Sequence, residues 1–344
     1  MASVLRGYSA PVRLRMAREE SELAFLMAND SDSFNRWDAG QSLAARLMLS
    51  FAAQPSAPDP HGRSLNAFLD AFGKQLEDDN LDGSYRALLL TLPNESMLGQ
   101  EMEVVDPDAI HRTREFLRAQ IVDRHHDSLF SLYQALAAGG SANNEQQCMN
   151  RRRLMNTALS YLAIRPSSDA KSLLADQFAN SDNMTDMQAA LRLLADIGGN
   201  ECESALANFY DRWHHDPLVL DKWFAVQAAS KRDDTIQRVT KLTTHRDFNI
   251  GNPNRVRSLL QTFAMNQVRF HAADGSGYTL LTDFILRIDT DNPQLAARLV
   301  SQMNGYRRFE AVRQKLMREQ LERIAGSEIV SRDLGEIVQR ALQI

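Results

Sequence analysis

The chain has 344 residues, of which 44% are hydrophobic and 24% charged, with a formal net charge of −5 and a pI of about 5.9. It is long enough for one large or two average domains, and its acidic balance argues against a general nucleic-acid or anionic-membrane surface, which needs a basic excess. The two cysteines, Cys148 and Cys202, suggest a reducing compartment rather than a disulfide framework, the N-terminus lacks the apolar stretch of a signal peptide, and no uncharged run is long enough to span a bilayer.

Residues 1–14 read as extended, because Pro11 blocks helix and biases Ala10 towards β or polyproline II. From Glu19 the helical period takes over. Ser21 is the expected cap of a helix carrying Leu23, Phe25, Leu26 and Met27, and residues 38–52 place Leu43, Leu47 and Phe51 on one face. Pro55, Pro58 and Pro60 mark a loop, and the next helix holds Leu65, Phe68, Leu69, Phe72 and Leu76. Asp106-Pro107 opens a long helix, with aspartate as N-cap and proline at N1, that carries Ile110, Phe116, Leu117, Ile121, Leu129 and Leu132 and ends at Gly139-Gly140. Residues 143–164 form another, with Met149, Leu154, Leu159 and Leu162.

The second half is more regular. Residues 183–197 put Met187, Leu191 and Leu194 on one face and close at Gly198-Gly199. Asn200-Glu201-Cys202-Glu203 reads as a capping-box variant, and Asp216-Pro217 starts a helix with Leu220, Trp223 and Phe224 inward. Helices over 234–242, 252–264, 276–288, 293–303 and 310–325 follow, and Ser331 caps the last, whose stripe is Leu334, Ile337, Val338, Ala341 and Leu342. Short polar turns and few strand signals predict an all-α chain. Helix pairs recurring at roughly 40 residues predict an irregular superhelical stack of antiparallel pairs, a HEAT-like α-solenoid with a concave face.

Local chemistry is sparse. A zinc peptidase needs H-E-x-x-H, which sets two imidazoles one turn apart with a carboxylate base between them. None of the eight histidines is followed by glutamate or has a histidine four residues on. Gly275-Ser276-Gly277 lacks the preceding strand and following Lys-Ser/Thr of a phosphate loop and reads as a helix junction with Ser276 as cap. No G-x-S-x-G elbow occurs. Arg151-Arg152-Arg153 reads as a solvated face, and Trp37, Trp213 and Trp223 fall on apolar stripes.

Several segments nevertheless resemble the C-terminal helical domain of the bacterial aminopeptidase N family, the alanyl aminopeptidases among the gluzincin zinc metallopeptidases. They are Leu5-Arg6-Gly7-Tyr8-Ser9-Ala10-Pro11-Val12, Phe34-Asn35-Arg36-Trp37-Asp38-Ala39-Gly40-Gln41-Ser42-Leu43, Asn183-Met184-Thr185-Asp186, Asp221-Lys222-Trp223-Phe224, Asn252-Pro253-Asn254-Arg255 and Asp274-Gly275-Ser276-Gly277-Tyr278, in the family's order. The resemblance implies a single helical C-terminal domain over 15–344, with 1–14 as the last strand of a preceding β-sandwich. It also implies an excised domain, inactive alone, whose parent enzyme removes N-terminal residues from peptides, binds zinc and is cytoplasmic. The zinc ligands and the G-A-M-E-N motif belong to the parent's catalytic domain and do not occur here. The expected partners are the catalytic and β domains of the same polypeptide and peptide substrates, with no nucleic acid and no membrane.

In that family the helical domain closes over the catalytic cleft. Matched segment by segment, Arg257, Gln294 and Arg298 would face the chamber, with a lining and positioning role and no bond-breaking part. Gln294 and Arg298 lie one turn apart behind Pro293 and share a face. Guanidinium groups suit the carboxylate or backbone carbonyls of a bound peptide. The alternative from the residues alone is a stand-alone α-solenoid that binds a peptide or protein on its concave face.

Overall fold

A computed structural model describes residues 2–8, 12, 16–53, 62–139 and 144–343. Among them the regular structure is helical, apart from one isolated parallel bridge, Val105 with Phe309. The all-α fold class is borne out. The chain divides into two compact units, Met1–Glu101 with Ala109–Ala190, and Met102–Asp108 with Leu191–Ile344. The loop expected at Pro55–Pro60 and the segment Ser9–Pro11 lie outside the described residues.

In the first unit the helices are α1 (Glu20–Asn29), α2 (Ser33–Ala53), α3 (Gly62–Leu76), α4 (Gly83–Leu89), α5 (Glu95–Glu101), most of α6 (Pro107–Ala137), α7 (Glu145–Leu162), α8 (Ser168–Asn180) and the first half of α9 (Met184–Ile197). Polar caps decide several of their starts. The cap of α1 is Glu19 rather than Ser21, with the Glu22 carboxylate accepting the Glu19 N–H at 3.1 Å. Helix α2 starts earlier than its apolar stripe suggests, because Asp32 Oδ1 accepts the Asn35 N–H at 3.0 Å. The short helices α4 and α5 and the longer α8 lie outside the elements that spacing predicts, yet Asp82, Asn94 and Ser167 each accept a backbone N–H in the first turn.

Two readings of this unit are corrected. Arg6–Tyr8 is a short 3-10 turn rather than an extended segment, with Leu5 at φ 56° and Gly7 at φ 62°. Acceptors on the α1–α2 corner bend it: Arg6 donates to Asp30 Oδ1 (3.0 Å) and Ser31 Oγ (2.8 Å), and the Gly7 N–H to Asp32 Oδ2 (3.1 Å). Phe25, Phe116 and Met149, placed on apolar stripes by spacing, are exposed; Phe116 packs edge-on against Phe51 at 5.1 Å.

The second unit continues with α10 (Asn200–Trp213), α11 (Pro217–Ala228), α12 (Thr235–Leu242), α13 (Pro253–Val256), a π segment (Arg257–Gln261), α14 (Thr262–Ala264), α15 (Gln267–Phe270), α16 (Ser276–Asp289), α17 (Pro293–Val300), α18 (Ala311–Ala325) and α19 (Arg332–Gln343). Asp216 caps α11 as expected, its Oδ1 accepting from Leu218 N and Val219 N. Ser331 Oγ accepts the Leu334 N–H at the start of α19. The capping box at Asn200 does not form: the chain enters α10 through Gly198 (φ 76°) and Gly199 (φ 91°), Gly199 is the N-cap, and Asn200 is already helical. Ser276 is likewise not a cap. Gly275 holds that position, and Asp274 Oδ1 accepts from Ser276 N (3.0 Å) and Oγ (2.7 Å), which lowers the Asp274 pKa.

Phe224, Phe263, Phe270 and Tyr278 are fully buried in this unit's core, each contributing roughly 2–3 kcal/mol by burial. Against them sits a polar hub. His271, 3% exposed, has Nδ1 hydrogen-bonded to the Tyr278 hydroxyl at 2.9 Å, and its carbonyl accepts Arg313 Nε at 2.5 Å. Burial first, and then the Arg313 charge, push the His271 pKa down to about 3, so the ring is neutral. A histidine with a depressed folded-state pKa favours the native state above its ordinary pKa of about 6.5 and forfeits that advantage as the pH falls towards 3. Urea titrations from pH 7 to 4 are expected to lose about 1.4 kcal/mol per pH unit from this group below pH 6, and His271→Gln to remove that part of the slope. An unchanged slope in the variant would place the acid sensitivity elsewhere.

Candidate functional site

Two of the segments that carry the family resemblance in the second unit, Asp221–Phe224 and Asn252–Arg255, brace one stretch of backbone. Asn252 Oδ1 accepts from Asn254 N and Arg255 N and, with Pro253 at N1, starts α13. Arg255 is buried: its Nε donates to Asp221 Oδ1 at 2.8 Å, its Nη1 to the Asp247 carbonyl at 3.1 Å, and its guanidinium lies 4.8 Å from the Phe224 ring centre. Ser258 Oγ lies 3.3 Å from Asp221 Oδ1 and donates at 2.9 Å to the Arg255 carbonyl, while Trp223 Nε1 donates to Leu206 O. These residues are structural, and they hold the backbone that carries Arg257.

Arg257 is exposed and is the first residue of the π segment. An i→i+5 turn inserts an extra residue and re-aims the side chains around it, and such insertions often sit at functional sites. Arg257 Nη1 donates to Asn254 Oδ1 at 3.1 Å, one helical turn back. Gln294 and Arg298 are both exposed on one face of α17, on a different element from Arg257. Among the described residues, no hydrogen bond or ion pair engages the Gln294 amide or the Arg298 guanidinium. Neighbouring arginines of the unit differ: Arg255, Arg269 and Arg313 are each committed to an aspartate.

Spacing missed two features here. The π register leaves no mark in residue types, since nothing in Arg257-Ser258-Leu259-Leu260-Gln261 distinguishes it from an ordinary turn. Asn254 as the polar partner of Arg257 was legible, being three residues back on the same helix face.

The first unit has an open cleft of about 590 Å³ lined by Tyr133, Arg151, Asp176, Gln177, Asp182 and Asp186, among others. Much of its polar lining is engaged internally. The Tyr133 hydroxyl donates to Gln177 Oε1 (3.0 Å), Gln177 Nε2 to Asp186 O (3.0 Å), and Asn156 Nδ2 to Asp186 Oδ1 (2.7 Å), which ties the helices together. Arg151, read as part of a solvated face, is half-buried and donates to Leu136 O. Among the described residues, no three His, Cys, Asp or Glu side chains gather where they could hold a metal ion, so these residues do not fit zinc. Among the described residues, no helix is long and apolar enough to cross a membrane.

Residues 20–343 match a family described as a domain of unknown function, DUF3458_C, with ARM repeats. Aminopeptidase N of Caulobacter vibrioides is 41% identical over 341 residues, covering 99% of this chain and 39% of the relative. Aminopeptidase N of Escherichia coli is 36% identical over 342 residues with the same coverages. The crystal structure of Legionella pneumophila aminopeptidase A in complex with aspartic acid superposes with a TM-score of 0.89 at 28% identity, over 98% of this chain and 40% of that one. The chain thus spans about two fifths of the length of the relatives it matches, and the resemblance seen in scattered segments extends over nearly all of it. It belongs to the DUF3458_C family of ARM-repeat domains and is a homologue of the C-terminal helical domain of aminopeptidase N.

Proposed function

We propose that this chain is the capping domain of a zinc-dependent aminopeptidase that removes N-terminal residues from peptides in the cytoplasm. In this reading residues 15–344 act as one domain and residues 1–14 belong to a preceding β-sandwich. The domain closes over a catalytic cleft supplied by the rest of the polypeptide and lines the substrate chamber with Arg257, Gln294 and Arg298. Zinc resides in the catalytic part, and this chain alone is inactive. The observation that carries the reading is the exposed guanidinium of Arg257 at the head of a π segment whose supporting residues are the family-like ones. An arginine so placed offers paired N–H donors to a peptide carboxylate or backbone carbonyl, which positions substrate without taking part in bond cleavage.

The test uses the chain together with the remaining domains of its aminopeptidase. Arg257→Ala is expected to raise KM for short peptides about tenfold with kcat within about twofold, the pattern of a lost binding contact. Arg298→Ala should behave similarly but more weakly. Unchanged KM in both variants would remove these residues from the chamber. Turnover of an alanyl chromogenic amide by the isolated chain with added zinc would overturn the capping assignment itself.

A further inference from the structure

The loop between α12 and α13 is built around an imidazole. His245 Nδ1 accepts the backbone N–H of Asp247 at 3.2 Å, and the His245 carbonyl accepts the Phe248 N–H at 2.9 Å. The ring sits against Tyr210 (5.3 Å between centres), Trp223 (5.2 Å) and Phe224 (5.7 Å), with its side chain 25% exposed. Asp247 then passes the contact on, because its carbonyl accepts Arg255 Nη1 at 3.1 Å, and Arg255 lies two residues before Arg257.

We propose that His245 is a proton-operated latch: neutral, its Nδ1 lone pair holds the Asp247 N–H and the loop grips Arg255; protonated, it releases that N–H and loosens the backbone that presents Arg257. The geometry makes the two states exclusive. A protonated Nδ1 is a donor, so it faces the Asp247 N–H donor-to-donor and must turn to the Asp247 carboxylate, whose Oδ2 is 3.8 Å away. That oxygen already accepts the Tyr210 hydroxyl.

The charged and titratable groups around the ring are Asp247 and Arg246 on its own loop, Tyr210 and His214 from α10, and Arg255 from α13, itself paired with Asp221 of α11. Burial lowers the His245 pKa, Asp247 raises it, and Arg246 and Arg255 lower it, with a net downward shift. The latch is therefore closed at neutral pH and opens below the usual histidine range. The structural claim stands on this loop alone; its consequence for substrate rests on Arg257 lining a chamber.

The experiment is an NMR pH titration of this chain from pH 8 to 4.5. The His245 ring and the backbone amides of residues 246–262 are expected to shift with one common midpoint, while the protection of the Asp247 amide falls about tenfold across it. In His245→Asn, whose side-chain oxygen accepts the same N–H without titrating, that common transition should vanish. Amides 254–262 that stay still through the His245 midpoint in the unaltered chain would overturn the proposal, and so would the same transition persisting in the asparagine variant. Neither result bears on whether Arg257 contacts substrate, which the KM of Arg257→Ala decides separately.

Discussion

Gly277→Ala is expected to destabilise the protein by about 3 kcal/mol, although alanine is favoured over glycine in a helix interior by ~1 kcal/mol. A β-carbon at Gly277 would lie 2.4 Å from the Phe270 carbonyl oxygen and 3.1 Å from its Cα and carbonyl carbon. Those are backbone atoms at the end of α15, and Phe270 and Tyr278 on either side are both fully buried, so neither element can give way without opening the core. Urea unfolding should show a lowered midpoint with an unchanged slope. Gly305→Ala supplies the contrast. Gly305 has φ −85° and open space around its added carbon, so its substitution should be neutral or stabilise by up to about 1 kcal/mol. Equal effects at the two sites would show that close backbone approach does not set the cost.

Arg313→Ala is the second large effect, at roughly 3–4 kcal/mol. The Arg313 side chain is 5% exposed and spends its donors on three acceptors: Asp108 Oδ2 at 2.6 Å, Glu310 Oε1 at 3.0 Å and the His271 carbonyl at 2.5 Å. Truncation leaves the buried His271 carbonyl unpaired and opens a void beside Tyr278. Asp108 is 43% exposed on its side, so Asp108→Asn should cost only about 1 kcal/mol, because water replaces much of what the carboxylate loses. A double-mutant cycle separates the pair from the packing. If Asp108→Asn proves as costly as Arg313→Ala, the charge pair rather than the buried stem and carbonyl carries the hub.

Long apolar stripes carried most of the fold into view. Leu43 and Leu47 in α2, Leu191 and Leu194 in α9, and Leu334 and Val338 in α19 are all buried where their spacing placed them. Spacing failed where a polar group, not an apolar face, decided the start of a helix. Asp82 and Asn94 open seven-residue helices too short for a stripe, Ser167 opens the 13-residue α8, and Asp32 starts α2 before its stripe begins. Asn200 has the residue type of a cap, but the preceding glycines had already turned the chain. At the candidate site the residue types of Arg257, Gln294 and Arg298 said little by themselves, since exposed arginines are common. What distinguishes Arg257 is the π register it opens and, just before it, the Arg255–Asp221 pair, 34 residues apart in sequence, neither of which a local pattern encodes.

The bridge between Val105 and Phe309 has a consequence for how the chain folds. Arg308 also donates to the Met102 carbonyl, a partner 206 residues away in sequence, and Val105 N donates to Arg308 O at 2.7 Å. Residues 102–108 thus join a unit whose remainder comes only after residue 190. During synthesis this short strip emerges early, long before the segment around Phe309 that it bridges has left the ribosome. The first unit has no such wait, because both of its pieces are made by residue 190. Closing so long a loop costs entropy before any contact repays it, so the docking of residues 102–108 should be a late event in folding.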